Sequence, residues 1–338
     1  MIAADAEPRA ARWRRRALVV PAYVFGLWRV LGLLPVLVPG ALLADVVRDR
    51  RLPATRLLLF GVAYLGCETL GLAASLVLGA AAAGSRHRML RWHYALQDLW
   101  ARALFAAARS LFALRLDVRD DGAVGRGPIV VFARHASLAD TLLPAVLVAH
   151  RHRIRLRWVL KRELLWDPCL DVVGHRLPNV FVRRGSSDSG REVAAIRTLG
   201  ADLGPEDGVL IYPEGTRATP AKLARARQAL ARSDPERAAR LASLRHVLPP
   251  RGGGPLALLD VDPPAAAVFM AHAGLDGAAS LGDVWRGALI GRTIHVAFWR
   301  VRAGDIPRTT AARLAWLDAQ WLRMDDWVAA HLRPPPAR

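Results

Sequence analysis

Residues 127–140 read GPIVVFARHASLAD, and the reading of the whole chain turns on them. The unbroken apolar run 128–132 is the pattern of a strand buried on both faces, and His135 and Asp140 follow just past its end. Working outward, 114–118 alternates as a strand with Asp121-Gly122 as its turn, 138–149 reads as a helix with Asp140 in its first turn, and 154–160 alternates arginine with apolar residues. A short strand at 179–182, a helix at 189–203 and a strand at 208–212 complete the pattern. Strands alternating with helices predict an α/β fold, a mixed, largely parallel sheet flanked by helices. Active residues of such sheets gather where strands end. His135, Arg183-Arg184 and Glu214-Gly215-Thr216-Arg217 all stand at predicted strand ends, and that shared placement predicts one site.

The 84 residues at the start have another character, with Arg9, Arg12, Arg14, Arg15 and Arg16 preceding two long apolar runs, 17–44 and 57–84. Each run is long enough to span a bilayer, and two in succession do not describe a cleaved signal peptide. Pro21, Pro35 and Pro39 are expected to break the first helix. Arg29 and Glu68 interrupt the runs at similar depth, which predicts an ion pair across an antiparallel hairpin. The loop arginines (Arg48, Arg50, Arg51, Arg56) match the basic flanks, so charge does not choose between a crossing hairpin and one lying in a single leaflet. From 86 to 112 the pattern is an amphipathic helix with Trp92, Leu96, Leu99 and Ala103 on one face, suited to the headgroup layer or to covering a sheet. The expected organisation is therefore 1–84 as basic start and membrane-anchoring hairpin, 85–113 as interfacial helix, and 114–338 as the catalytic domain.

Composition narrows the partners. Hydrophobic residues make up 53% of the 338, and a formal charge of +19 is carried almost wholly by arginine, with Lys161 and Lys222 the only lysines. That balance suits an anionic membrane or phosphorylated small molecules. A nucleic-acid binder is disfavoured, because the basic residues accompany apolar runs and form no recognition module. Cys67 and Cys169, far apart, suggest neither a disulfide nor a metal site, and Cys169 reads as a small core residue.

The spacing His-x4-Asp occurs twice, at His93/Asp98 and at His135/Asp140. Within a continuous helix five residues turn through about 500°, which sets the two side chains roughly 140° apart. The first pair therefore cannot meet, whereas the second sits on a strand-to-helix joint where the chain can fold back. Glu-Gly-Thr-Arg is sharper, expected by chance on the order of a few times in a thousand such chains. Its glycine permits a tight turn, and its hydroxyl and guanidinium suit a phosphate. The bland readings of the other candidates are a basic surface for His150 and His152, structural histidines for His175, His246, His272 and His295, and packing for Trp316, Trp321 and Trp327 on a C-terminal helix.

His135-x4-Asp140, Phe181-Val182-Arg183-Arg184, Glu214-Gly215-Thr216-Arg217 and Leu248-Pro249-Pro250-Arg251 stand in the order and spacing of the glycerolipid acyltransferases, which the chain resembles over about 128–332. The likeness is to 1-acylglycerol-3-phosphate O-acyltransferases. Lys222, His246-Val247-Leu248, Gly254, Ile294-His295-Val296, Asp305-Ile306-Pro307 and Asp325-Asp326 are similar to the branch that holds lysocardiolipin acyltransferases, with Pro255 where that branch usually has phenylalanine. The resemblance implies acyl transfer from acyl-CoA or acyl carrier protein, as co-substrate and without a cofactor, to the hydroxyl of a lysophospholipid. It implies His135 as general base with Asp140 orienting it, and Arg184 and Arg217 on the acceptor phosphate. Arg183 stands in for Arg184 if the register slips, Gly215 lets the backbone approach, and Thr216 is a further phosphate contact. Lys161, at a strand end, reads equally as a phosphate contact or a surface residue. Glu214 is expected to shape the turn or orient an arginine. A membrane location with the catalytic domain on the cytoplasmic face goes with this reading. The competing readings are acylation of another lysophospholipid or of glycerol 3-phosphate, and a silent lipid-binding scaffold.

Overall fold

The computed structural model describes residues 7–183 and 189–332. Seven strands form one sheet: β1 (Arg115–Arg119), β2 (Ile129–Ala133), β3 (Arg155–Lys161), β4 (Val180–Val182), β5 (Asp207–Ile211), β6 (Ala266–Ala273) and β7 (Thr293–Val301), in the spatial order β1-β7-β6-β2-β5-β3-β4. Every neighbouring pair is parallel except β6 with β7, which gives the mixed, largely parallel sheet that the pattern predicts. The opening stretch supplies the central strand. All five residues of β2 are buried, as are all five of its neighbour β5, so both read as runs rather than alternations.

Helices cover both faces. Those that matter here are α1 (Arg9–Arg48), α2 (Pro53–Ala81), α3 (Arg86–Leu111), α4 (Pro168–Val172), α5 (Ser189–Leu199) and the C-terminal helix Thr310–His331. On one face Phe105 and Phe112, from α3 and its end, pack with Val131, Leu143 and Met270. On the other, Phe132 stacks on Phe269, and Phe269 on Trp299, with Trp321 of the C-terminal helix closing the layer. Trp321 is fully buried and Trp316 lies edge-on to Phe269, the packing role expected of them.

Four expectations need correction. The helix at 138–149 is a 3-10 turn at Ala139–Leu142 followed by a π-helical turn at Ala145–His150. Pro144 has no N–H for the Asp140 carbonyl, which accepts instead from Leu143 at the tighter spacing. Helix α1 runs unbroken through Pro21, Pro35 and Pro39, a tolerance typical of helices in apolar surroundings. The buried face of α3 is Ala101, Leu104, Phe105 and Ala108 with His93, leaving Leu99 57% exposed. Finally, Arg29 and Glu68 do not pair. Glu68 turns toward the domain, accepting from Trp100 Nε1 (2.8 Å) and from the backbone N–H of Cys169 (2.9 Å), while Arg29 lies over the Phe25 ring. Two N–H donors already positioned on α3 and α4 satisfy a buried carboxylate better than a long side chain on the outer helix face.

The turn between α1 and α2 is made by Asp45. Its two carboxylate oxygens accept from the backbone N–H groups of Ala54 (2.9 Å) and Thr55 (2.8 Å), capping α2 behind Pro53. Both helices are long and apolar enough to cross a membrane.

Candidate active site

The chain leaves β2 through Arg134, whose fully buried guanidinium donates to the carbonyls of His272 (2.6 Å) and His246 (2.9 Å) and pairs with Asp276. That ties the end of β2 to the end of β6 and sets the direction of the next residue, His135. The non-helical residues Ala136 to Leu138 then let the chain fold back. Asp140 Oδ1 meets His135 Nδ1 at 2.9 Å, and Asp140 Oδ2 accepts from the backbone N–H groups of Ala136 (2.6 Å) and Ser137 (2.7 Å). The other spacing match behaves as its geometry requires. His93 bonds Ser75 and Arg176, and Asp98 bonds Arg102 and His150.

Burial alone would raise the Asp140 carboxyl. The charge and hydrogen bond of His135, together with His272, outweigh that and hold it well below the usual carboxylate range. Asp140 therefore stays ionised wherever a histidine titrates, and with Nδ1 committed to it, Nε2 is the ring nitrogen of His135 left for a substrate.

Glu214 locks the second strand end to the first. It is 2% exposed, and its oxygens accept from the N–H of His135 (3.0 Å) and of Leu248 (2.9 Å). Burial pushes its carboxyl up to about 8, against the pull of those N–H groups and of Arg134. The Ala218 N–H returns to the His135 carbonyl (2.7 Å), and the Arg251 N–H to that of Pro213 (3.0 Å). Between them Gly215 takes φ +64°, which glycine adopts without strain, and a β-carbon there would press on the Arg251 guanidinium at 3.1 Å.

These elements wall a cavity of about 480 Å³. His135, Gly215, Arg217 and Arg251 stand on its wall, as do Lys161 and Arg183. Its apolar part runs under α3 and the turn after β3, past Trp100, Leu142, Trp158, Leu164 and Leu170. Of the predicted site residues that are described, three are placed off this wall, Asp140 behind His135 and two in the loop after β5. Glu214 is used up by backbone N–H groups, and the Thr216 hydroxyl accepts from Lys222 Nζ (3.0 Å), both holding the loop in shape. Arg183 donates its backbone N–H to Glu192 (2.9 Å), and Arg184 lies outside the described residues.

Residues 115–235 match the family model described as Acyltransferase. This segment is similar to acyltransferase domains. Over 126 residues the chain is 31% identical to 1-acyl-sn-glycerol-3-phosphate acyltransferase epsilon of Mus musculus, a match covering 36% of this chain and 33% of that protein. The chain thus spans a third of that curated relative. Among solved structures, the 1-acyl-sn-glycerophosphate (LPA) acyltransferase PlsC of Thermotoga maritima aligns with a TM-score of 0.48 and 14% identity, over 78% of this chain and 89% of that one.

The site also contains residues that sequence reasoning passed over. His272, read as structural, reaches Asp140 Oδ2 at 3.4 Å and the Arg134 carbonyl at 3.1 Å through Nε2. It lies on β6, about 130 residues downstream, in an alanine-rich strand that carries no strand signal. Arg251 belongs to the Leu-Pro-Pro-Arg motif but was given no role. Its signal was present, an arginine in a motif in register with the other three. Tyr212 packs its ring 4.7 Å from that of His135 and covers one side of the imidazole.

Proposed function

We propose that the protein transfers a fatty acyl group from acyl-CoA, or acyl carrier protein, to the free hydroxyl of 1-acyl-sn-glycerol 3-phosphate, giving phosphatidic acid. The observation that carries this reading is the shared cavity. A histidine whose Nδ1 is fixed by a buried carboxylate faces the same space as Arg183, Arg217, Arg251 and an apolar pocket.

A thioester is already activated, so the reaction chiefly needs a deprotonated acceptor. The acceptor oxygen attacks the thioester carbonyl carbon while His135 Nε2 takes its proton, and Asp140 stabilises the resulting imidazolium. The tetrahedral intermediate collapses by breaking the C–S bond, and the imidazolium returns the proton to the thiolate. No acyl-enzyme forms and no enzyme nucleophile is consumed. Arg217 and Arg251 hold the acceptor phosphate, with Lys161 and Arg183 nearby and Arg184 a further candidate, so that a two-body encounter becomes an oriented complex. The acyl chain lies in the apolar part of the cavity. Helices α1 and α2 embed in the bilayer, which delivers both lipids laterally, with the catalytic domain on the cytoplasmic face.

The test is a panel of acceptors offered to the purified full chain with labelled acyl-CoA and acyl carrier protein. The expected result is the highest kcat/KM for 1-acyl-glycerol 3-phosphate. Equal use of lysolipids lacking a phosphomonoester would reassign the acceptor, and no transfer to any of them would leave a lipid-binding scaffold.

A further inference from the structure

Beside the catalytic cavity lies a second one of about 420 Å³, walled by Glu7, Arg14, Arg15, Arg162, Leu165 and Trp166 among others. The 3-10 turn Arg162–Trp166 that follows β3 divides the two. Lys161 and Leu164 face the catalytic side, while Arg162, Leu165 and Trp166 face this one.

Among the described residues the charge around it does not balance. Arg12, Arg14, Arg15, Arg16 and Arg162 gather here against two carboxylates, Asp171 and Glu7. Asp171 is used by Arg15 (3.0 Å), Arg16 (2.9 Å) and His175 (3.0 Å). Glu7 bonds Arg15, and Arg12 and Arg162 approach it only to 3.7 and 3.9 Å. Arg12 Nε is buried without a hydrogen-bond partner, and so is Glu7 Oε2. A small carboxylate thus sits at the focus of three guanidinium groups without filling it. Clustered guanidinium groups with too few carboxylates repel one another, and a phosphate, with more acceptor oxygens, matches arginine forks better.

The rim indicates what carries the phosphate. Leu18 is 64% exposed and Trp166 58%, and the apolar run of α1 begins directly after this arginine cluster, at Ala17. An arginine pocket with an apolar, tryptophan-bearing lip suits an amphiphile held at headgroup depth.

We propose that this cavity is a second phosphate-binding site, separate from the Glu-Gly-Thr-Arg loop, that takes the phosphate of an amphiphile, with Glu7 occupying the anion's place until it arrives. Two sources share that chemistry: an anionic membrane phospholipid, and the nucleotide end of an acyl thioester donor. Occupancy would steady the turn that also carries Lys161 and Leu164 of the catalytic wall. The inference stands on this cavity alone and not on which acceptor is acylated.

Isothermal titration of the full chain in zwitterionic micelles tests it, with dihexanoyl phosphatidylglycerol and adenosine 3′,5′-bisphosphate as separate probes. The variant Arg14→Ala/Arg162→Ala leaves the Asp171 pairs of Arg15 and Arg16 in place. It should lose one equivalent of one probe, or bind it about tenfold more weakly. The lipid losing that equivalent assigns a headgroup site, and the nucleotide losing it assigns a donor site. Glu7→Gln should bind the same probe more tightly than wild type. Unchanged stoichiometry and Kd for both probes in the double variant would overturn the proposal. If that variant does not fold, Glu7→Gln decides, and unchanged or weaker binding there overturns it. His135→Ala should leave these titrations as in wild type, so this proposal and the catalytic reading fail separately.

Discussion

The hairpin α1–α2 and the sheet around β2 are built in opposite senses. In the sheet apolar side chains point in, and all eight residues of β6 and all five of β2 are buried. In the hairpin they point out. Across the forty residues of α1 only Val19 and Asp45 are buried, while Trp28, Val36, Leu43 and Val47 are exposed. Beside the apolar contacts of Leu57 and Phe60, the hairpin meets the rest of the molecule through buried polar groups. Glu68 meets Trp100 and Cys169, Tyr64 meets Asp167 at 2.6 Å, and Ser75 meets His93 and Arg176. An apolar surface of that extent calls for a covering, and the polar inner face shows how such a hairpin can be bound to its domain while its outside faces lipid. The contrast also separates two kinds of buried carboxylate, one that fixes a histidine ring and one that fixes a helix.

That distinction can be broken by mutation. The largest effect is expected at Asp140. Asp140→Asn removes the charge behind His135 and should lower kcat by about a hundredfold or more, measured by acyl transfer at saturating acceptor. The same variant has a pH signature in stability. A carboxyl whose folded pKa lies below its unfolded value near 3.9 contributes stability above that pH and loses it as pH falls toward the folded value. The urea midpoints of wild type and Asp140→Asn should therefore differ most at neutral pH and converge below about pH 4. A constant gap would show that the carboxylate's charge is not what matters.

Next in size is Glu68. Glu68→Ala strands the Trp100 and Cys169 N–H groups, which costs about 1–3 kcal/mol, whereas Arg29→Ala should stay within about 0.5 kcal/mol. Thermal melts in one detergent compare them, and equal losses would restore the pairing that the sequence suggests. Arg251→Ala is expected to raise KM for the acceptor about tenfold, near 1.4 kcal/mol, and to leave KM for the acyl donor close to wild type. A larger change for the donor would move the phosphate away from this arginine. Smallest is the outer face. Leu43→Ser with Val47→Ser should shift a measurable fraction of protein from the membrane pellet to the supernatant after carbonate washing and leave kcat in detergent unchanged. A drop in kcat with no shift would mean that these side chains pack rather than meet lipid.

How far the chain could be read in advance follows the same divide. Strands β2 and β5 were legible because Ile, Val and Leu in short runs have one good place in a fold, and β3 because arginine alternates there with apolar residues. Strand β6 was not, since Ala-Ala-Val-Phe-Met-Ala-His-Ala has weak strand propensity and becomes a strand only through its neighbours β2 and β7. His135 and Asp140 were legible because five residues across a strand end fix their relation locally. His272 and Glu68 owe their partners to contacts 132 and 101 residues away in sequence, and no local pattern encodes such distances. The Arg29–Glu68 reading failed for that reason. Depth along two helices can be counted in a sequence, but the face a side chain takes is decided by which third element packs there.

The central claim is that His135 takes the acceptor's proton in the cavity that Arg217 and Arg251 share. The direct measurement is the single-turnover rate of acyl transfer from labelled acyl-CoA to 1-acyl-glycerol 3-phosphate, wild type against His135→Ala, with lipid binding checked for both. The account predicts a loss of about a hundredfold or more with acceptor binding retained; transfer by His135→Ala at the wild-type rate would contradict it.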